Sequence, residues 1–153
     1  MNLHSKQLVL GIDGGGSTTR AALAVVSNAA DLHVVGRGMA GASNFNSCGW
    51  DVATREVQLA IQSAFDSAGL EVHRVAAICL GMSGAGRSSE QQAWKRWAEE
   101  SSVAELTNVV TDAETVLAAG TPDGTGVALI AGTGSLAFGK NESGEFARAG
   151  GWG

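Results

Sequence analysis

Apolar and polar stretches alternate along the chain in a pattern that predicts a mixed α/β domain. Apolar runs that end at glycine or hydroxyl residues predict buried strands, namely 7–13, TTRAALAVV, LHVVGRG, RVAAICLGMSG and LTNVVTD. TTRAALAVV is ambiguous, because Ala and Leu favour a helix whereas Thr and Val favour a strand, and we interpret it as a strand. The turns GGGS and SNAAD then join the first three strands into a meander.

Three segments are predicted to be helices, and the first of them follows the segment AGASNFNSCG, which is predicted to be a polar loop. The first has one buried face of period three to four, formed by Val57, Ile61, Ala64, Phe65 and Ala68 and followed by Gly69 as a stop signal. In the second, SSEQQAWKRWAEES, Ser88 and Gln91 are spaced as a capping box, and the face with Trp94, Trp97 and Ala98 is predicted to be core. AETVLAAG is a third, short helix.

The order βββαβαβα is followed by GVALIAGTGSLAFGK and FARAGG, which predict an antiparallel hairpin arrangement. This order indicates a mostly parallel sheet with helices on its faces and an antiparallel meander at one side. Functional sites in such sheets lie at the carboxyl ends of the strands. The glycine, serine and threonine clusters of this chain all follow predicted strands, so we expect the site there.

Composition narrows the class of protein. The 153 residues include 44% hydrophobic and 16% charged residues, and the net charge of -5, without a run of Lys and Arg, argues against a nucleic-acid partner. No apolar stretch is long enough to span a membrane, so we expect no membrane partner. Cys48 and Cys79 lack CxxC spacing, and we expect a soluble protein in the cytoplasm.

The segment GIDGGGSTTR, 11–20, combines an acid, three glycines and three hydroxyl residues. Consecutive backbone N–H groups in a glycine turn can bind phosphate, and the hydroxyls of Ser17, Thr18 and Thr19 could add donors. Asp13 could hold Mg²⁺ through water. A P-loop would need a lysine and a Rossmann turn a third glycine, and both are absent here. An ordinary hairpin turn with glycines at positive φ explains this motif alone equally well.

Three further positions carry two interpretations each. GTGS at 132–135 repeats GGGS without the acid, which indicates either chance or two related halves, and we favour the second. Asp112 is either the N-cap of a helix, which its position favours, or a general base for phosphoryl transfer. Asn44 is either a turn residue, again the favoured interpretation, or a ligand of a polar substrate.

Taken together, GIDGGGST, SN, TDAETVLAAG, LIAGTGS and GGWG resemble the N-acetylglucosamine kinase family. They are also similar to the broader BadF/BadG/BcrA/BcrD group of ATPases, within the actin, sugar kinase and Hsp70 superfamily. The resemblance covers 9–153. It implies a ribonuclease H-like mixed sheet, βββαβαβα with helices on both faces, as the N-terminal domain of an actin-like ATPase fold. It also implies ATP and Mg²⁺ as cofactors.

The resemblance also implies roles for single residues. It makes Asp112 the catalytic base that takes the proton of the sugar's 6-hydroxyl, and Asp13 the acid that organises Mg²⁺ through water. The ATP phosphates would lie beside Gly14, Gly15, Gly16, Ser17 and Thr18. The substrate side would comprise Asn44, Asp112, Thr133, Gly150 and Gly151, with Trp152 beside them.

The implied activity is ATP-dependent phosphorylation of an amino sugar such as N-acetylglucosamine or glucosamine. The alternatives are a BadF/BadG-type ATPase that drives electron transfer through an iron–sulfur cluster, and a sugar-sensing domain without turnover. Members of the family have about twice this length, as two ordinary domains require. We therefore expect 1–122 to be the N-terminal domain and 123–153 the opening hairpin of a second one. The partners would be the sugar and the rest of the C-terminal domain, the resemblance allows a homodimer, and the fragment alone should be inactive.

Overall fold

The computed structural model describes residues 7–28, 31–121, 123–131 and 135–151. The elements in chain order are β1 (Gln7–Gly14), β2 (Thr19–Asn28), β3 (Asp31–Ala40), α1 (Phe45–Cys48), α2 (Trp50–Ser67), β4 (Val75–Met82), α3 (Ser88–Glu100), β5 (Ala104–Thr111), α4 (Asp112–Gly120), β6 (Gly126–Ala131), β7 (Ser135–Lys140) and β8 (Phe146–Gly150). None of the helices in these described ranges is long and apolar enough to cross a membrane.

Strands β1 to β5 form one mixed sheet in the order β3-β2-β1-β4-β5. The pairs β1–β2 and β2–β3 are antiparallel, whereas β1–β4 and β4–β5 are parallel. The predicted meander and the order βββαβαβα are therefore confirmed. The ambiguous segment TTRAALAVV is a strand because it pairs with β1 on one side and β3 on the other, and this pairing overrides the helix preference of its Ala and Leu residues.

Helices α2 and α3 cover one face of this sheet. The side chains of Leu10, Ile12, Leu23, Ile78 and Leu80 point to that face and share one core with the helices. The predicted face of α2 is buried except for Ala68, which is partly exposed, and Trp94 and Trp97 of α3 are core residues as expected. Through this core, the two helices pack against the antiparallel and the parallel half of one sheet.

Helix α4 lies on the other face, so the sheet has helices on both faces as predicted. Its Ala113 and Leu117 pack against Ala128 and Phe138 of a second sheet, which has the order β6-β7-β8 and is antiparallel. The hairpin arrangement predicted for the end of the chain is thus confirmed. Helix α4 joins the two sheets.

Two local expectations are wrong. Helix α3 already includes Ser88, so its capping pair lies one residue earlier: the Glu90 carboxylate accepts a hydrogen bond of 2.7 Å from the Arg87 backbone N–H. The predicted capping box of Ser88 and Gln91 therefore does not form. The segment AGASNFNSCG, predicted to be a loop, contains the one-turn helix α1.

Candidate active site

Three parallel strands end at the edge of the sheet where the sequence predicts the site. Asp13 of β1 is in register with Gly81 of β4, and Gly81 is in register with Val110 of β5. With adjacent strands about 4.8 Å apart, Asp13 and the strand that leads into Asp112 are separated by about 10 Å. Gly81 lies between them and has no side chain, and Thr115 of α4 packs against it.

The glycine turn after β1 presents hydrogen-bond donors away from the sheet. The Gly15 N–H donates to the Thr18 carbonyl at 3.0 Å and closes the turn. Among the hydrogen bonds of the described residues, the next backbone N–H groups, of Gly16, Ser17 and Thr18, have no partner. A β-carbon on Gly16 would meet nothing within 4 Å. Successive free N–H groups of this kind form an anion-binding cradle.

The segment is a hairpin turn, since β1 and β2 pair antiparallel up to Gly14 and Thr19, but the expectation that its glycines have positive φ is wrong. The glycines with positive φ in the described chain include Gly49, Gly84 and Gly150 but not Gly14, Gly15 or Gly16. Gly14 is instead required by a close approach, since a β-carbon there would overlap the Met82 thioether and lie 2.7 Å from Ser43 Oγ.

The three hydroxyl residues after the glycines differ in their exposure to solvent. Ser17 is exposed and Thr18 partly exposed, whereas Thr19 is completely buried. Thr19 Oγ1 lies 2.7 Å from the Gly41 carbonyl oxygen and 2.7 Å from Ser43 Oγ. Since a hydroxyl has one proton, Thr19 donates to the carbonyl and accepts from Ser43. The suggested donor role of Thr19 toward phosphate is therefore wrong, and Thr19 fixes the loop before α1.

Asn44 lies directly beside the glycine turn. The backbone N–H groups of Ser43 and Asn44 both donate to the Gly15 carbonyl, at 3.0 and 3.2 Å. The Asn44 side chain caps α1 by accepting from the Asn46 backbone N–H at 3.2 Å. A β-carbon on Gly84 would lie 2.5 Å from Asn44 Oδ1, so this amide also covers the loop after β4. Its NH₂ group has no partner among the described hydrogen bonds. Asn44 is the N-cap of a one-turn helix, which supports the turn interpretation.

An aromatic cluster holds the Asn44 loop against the domain. Phe45, next to Asn44, contacts Trp50 edge-on with ring centres 5.3 Å apart. Trp94 of α3 lies 4.8 Å from the Trp50 ring centre and 6.3 Å from that of Phe45. Trp94 is completely buried, so the position of Asn44 depends on a helix that is about fifty residues away in sequence.

Asp112 is not the N-cap of α4. The cap is Thr111, whose hydroxyl accepts from the Glu114 N–H at 3.3 Å, while the Glu114 carboxylate accepts from the Thr111 N–H at 2.8 Å. Asp112 is the first helical residue and is partly exposed. Its Oδ1 accepts from the Ala113 N–H at 2.9 Å, and Oδ2 has no partner among the described hydrogen bonds. Thr111 caps the helix, so the N-cap interpretation of Asp112 is wrong.

Asp13 is an accessible carboxylate next to the glycine turn. It is paired with Arg20 on β2, with 3.4 Å between Asp13 Oδ2 and Arg20 Nη1, and more than half of each side chain is exposed. No group of three or more His, Cys, Asp or Glu residues that could enclose a metal occurs among the described residues. A single accessible carboxylate beside a phosphate cradle suits Mg²⁺, which keeps much of its water and binds through few carboxylates.

The corner after β8 lies near the loop after β4. Gly150 and Gly151 have φ of 84° and 74°, and the Gly151 N–H donates to the Ser135 carbonyl at 2.8 Å. Arg148 donates from Nη2 to the Gly151 carbonyl at 3.3 Å, and a β-carbon on Gly86 would lie 3.0 Å from its Nη1. Gly150 and Gly151 thus lie opposite the loop after β4.

Two predicted substrate-side residues, Thr133 and Trp152, lie outside the described residues. Conversely, sequence reasoning missed Ser83 and Arg148. Ser83 follows β4 at the same edge, and its backbone N–H donates to the Gly14 carbonyl at 2.7 Å. The sequence did contain an indication of Ser83, namely a hydroxyl residue directly after a buried strand. Arg148 is the only charged residue of β8, but only the fold brings it opposite Gly86.

The mixed sheet and the glycine turn at its carboxyl edge are the features that the sequence resemblance implies for an ATPase domain. The chain belongs to the BadF/BadG/BcrA/BcrD ATPase family, whose model matches residues 10–153. It is 34% identical to the N-acetylmuramic acid/N-acetylglucosamine kinase of Clostridium acetobutylicum over 95% of this chain and 46% of that protein. It is 36% identical to the N-acetyl-D-glucosamine kinase of Dictyostelium discoideum over 97% of this chain and 48% of that protein.

Solved structures give the same result for the fold. A crystal structure of a candidate N-acetylglucosamine kinase from Chromobacterium violaceum has a TM-score of 0.76 and 26% identity, and the match covers 97% of this chain and 50% of the other. A second, from Porphyromonas gingivalis, has a TM-score of 0.62 and 20% identity over 93% and 47%, which supports the fold alone. The chain spans about half the length of these relatives.

Proposed function

We propose that the full-length protein is an ATP-dependent kinase that phosphorylates the 6-hydroxyl of an amino sugar such as N-acetylglucosamine or glucosamine. One observation carries this proposal: the free N–H donors of Gly16, Ser17 and Thr18 and the free oxygen of Asp112 lie at one edge of the sheet. The kinases named among the relatives support the same activity. We also propose that the protein is located in the cytoplasm.

The turn after β1 would bind the phosphates of ATP. The N–H groups of Gly16, Ser17 and Thr18, which have no partner among the described residues, and the Ser17 and Thr18 hydroxyls would donate to the phosphates, and the glycines would let the backbone come close. Asp13 would hold Mg²⁺ through water, and the ion when bound would neutralise charge on the phosphates. Arg20 would keep the Asp13 carboxylate in place.

The acceptor sugar would lie between Asn44, Asp112 and the corner after β8. The free NH₂ group of Asn44 would donate to a sugar oxygen, and the proposed contacts of Thr133, Gly150 and Gly151 would lie opposite. Asp112 Oδ2 would accept the proton of the attacking 6-hydroxyl while that oxygen forms the new bond to the γ-phosphorus. The bond from the γ-phosphorus to the bridging oxygen breaks, and ADP leaves.

Two domains would be needed for this reaction. We infer that 1–122 form the N-terminal domain and that 123–153 begin a second domain, whose remainder would complete the nucleotide site. Closure of the two domains would exclude water, which competes with the sugar as acceptor. The outer side of the β6-β7-β8 sheet supports this division, since Val127 and Leu129 are 72% and 75% exposed there and an apolar sheet face requires a covering layer.

The test is a coupled assay of ADP release by the full-length protein, with Mg-ATP and a panel of sugars. We expect ADP release that depends on an amino sugar, with the product phosphorylated at the 6-position. ADP release that no sugar increases would assign the protein to the ATPases that drive electron transfer, and an iron–sulfur absorption band would support that assignment. Binding of sugar without ADP release would indicate a sensing domain.

A further inference from the structure

The guanidinium group of Arg148, on β8, lies in a space that two glycines leave for it. A β-carbon on Gly151 would overlap Arg148 Nη2, and a β-carbon on Gly86 would lie 3.0 Å from Nη1. Nη2 donates to the Gly151 carbonyl at 3.3 Å. A guanidinium has five N–H donors in a planar fork, so most of these donors have no partner among the described hydrogen bonds.

The charge of Arg148 is also not balanced by an acid in the described part of the chain. Arg20, Arg55 and Arg87 each form an ion pair with a carboxylate there, whereas Arg148 forms none. In a chain with a net charge of -5, the corner after β8 is thus a place of uncompensated positive charge. A guanidinium binds a carboxylate through two parallel N–H···O bonds, so a single carboxylate is the ligand that fits this fork.

The loop after β4 links Arg148 to the proposed sugar site. Gly84 of this loop lies against the Asn44 amide, and Gly86 lies against Arg148. The two glycines are at most about 7 Å apart, because only one residue separates them. The end of β1 contacts the start of the loop, at the Ser83 N–H. The guanidinium therefore lies on the sugar side of the proposed site, beyond Asn44 as seen from the phosphate cradle.

We propose that Arg148 is a specificity-determining residue of the acceptor site and binds a carboxylate that the sugar carries. This inference rests on the proposed function, because it takes the acceptor to be an amino sugar beside Asn44. When the 6-hydroxyl faces Asp112, C1 to C3 of the pyranose ring are on the side away from it. The 2-position carries the amino group, so an acid linked through the 3-oxygen is the substituent that extends toward Arg148.

The first test compares two synthetic ethers of N-acetylglucosamine with the full-length protein. One has a carboxymethyl group on the 3-oxygen, and the other has the neutral carbamoylmethyl group of nearly the same shape. We expect the acid to bind about 10- to 100-fold more tightly than the amide in calorimetry, as is typical of hydrogen bonds to a charged group. The acid should also have the lower KM in the ADP-release assay. Equal affinities, or an acid that does not bind, would overturn the proposal.

The second test assigns the preference to Arg148. Arg148→Gln should abolish the preference for the acid and change the affinity for unsubstituted N-acetylglucosamine by less than about threefold, whereas Arg148→Lys should keep part of the preference, because lysine retains the charge but not the fork. Lys140→Gln is the matched control, since it removes an exposed cation at the end of the same sheet away from Gly150. Equal losses for all three sugars in Arg148→Gln would mean that Arg148 only shapes the corner after β8, and would also overturn the proposal.

These tests separate the role of Arg148 from the kinase activity. ADP release that N-acetylglucosamine does not increase would contradict the proposed function, whereas the calorimetric ratio of acid to amide measures the role of Arg148 without turnover. Sugar-dependent ADP release without a preference for the acid would support the kinase and overturn the inference about Arg148.

Discussion

Gly81 of β4 and Thr115 of α4 are in direct contact where the helix crosses the sheet. A β-carbon on Gly81 would overlap Thr115 Cγ2 and lie 3.2 Å from Thr115 Oγ1 and 3.3 Å from the Ile12 carbonyl oxygen. Because Asp112 is in the same turn of α4, the missing side chain of Gly81 determines how closely this carboxylate approaches Asp13. The position of the proposed base thus depends on a glycine 31 residues earlier in the chain.

Gly81→Ala in the full-length protein should therefore push α4 outward. We expect a loss of stability of about 1–3 kcal/mol from overpacking and a fall in turnover of up to about 100-fold from misplacement of Asp112. The double variant Gly81→Ala/Thr115→Ser removes the methyl group that overlaps and should recover much of both losses. Gly11→Ala, on the same face with nothing within 4 Å of the new β-carbon, is the control. Steady-state kinetics and urea unfolding check these outcomes.

Asp112→Asn should lower turnover by about 10²–10⁴-fold, because the amide keeps the contact with the Ala113 N–H but cannot accept a proton. Sugar affinity, measured by calorimetry, should change little. Asp66→Asn is the control, since Asp66 is an exposed acid in the last turn of α2, at the end of the helix away from Gly41 and the site edge. Near-normal turnover of Asp112→Asn would remove Asp112 from the mechanism.

Asp13→Asn should raise the half-saturating Mg²⁺ concentration by roughly 10- to 100-fold, as is typical when an outer-sphere partner of a metal is lost. Tm should stay nearly constant, because the pair with Arg20 is exposed and such pairs contribute little to stability. A magnesium titration at fixed ATP measures the effect. An unchanged titration curve would show that Asp13 has no part in holding the ion.

Trp94→Ala should loosen the Asn44 loop as well as the core. We expect a stability loss of about 3–5 kcal/mol and an increase in KM for the sugar, because Trp94 supports Phe45 and Trp50 beside Asn44. Trp94→Phe should be milder, since it also removes a buried indole N–H without a partner. Trp97→Ala is the control and should reduce stability without changing KM. Equal KM values for the Trp94 and Trp97 variants would show that the aromatic cluster does not affect sugar binding.

Glu56 accepts a hydrogen bond from the Gly41 N–H at the start of the Asn44 loop and makes the stability there sensitive to acid. Its side-chain hydrogen bonds with Arg55 and with the Gly41 N–H hold its pKa below the ordinary value of about 4.5. A lowered pKa means that the stabilisation is complete above the unfolded-state value and is lost as the pH falls through the folded-state value. The Tm difference between wild type and Glu56→Gln should therefore be constant above about pH 5.5 and shrink below pH 4.5. A difference independent of pH would contradict this assignment.

Much of the fold could be predicted because its signals are local. The period of Val57, Ile61 and Phe65 identified α2, and apolar runs that end in glycine identified β1 and β4. Helix caps were less predictable, since Ser88 and Asp112 both have the right residue type but lie one residue inside their helices. A cap depends on the backbone angles of one residue, which residue type alone does not determine.

The candidate site could be located but not assembled from the sequence. The positions of Asp13, Asn44 and Asp112 after strands or in a loop were readable as motifs. Their relation to one another was not, because it depends on register between strands that are far apart in the chain. Arg148 shows the same limit, since nothing near β8 in sequence indicates that it lies opposite Gly86.

The sequence by itself determined which segments are strands and helices, their order and the chemistry available at the strand ends, because periodicity, turn residues and side-chain types are properties of short segments. Only the tertiary structure decided that Thr19 points into the core while Ser17 and Thr18 point outward, that Thr111 rather than Asp112 caps α4, and that Gly81 lets this helix approach the sheet. These outcomes depend on packing between segments distant in sequence, where each position is set by the atoms that surround it.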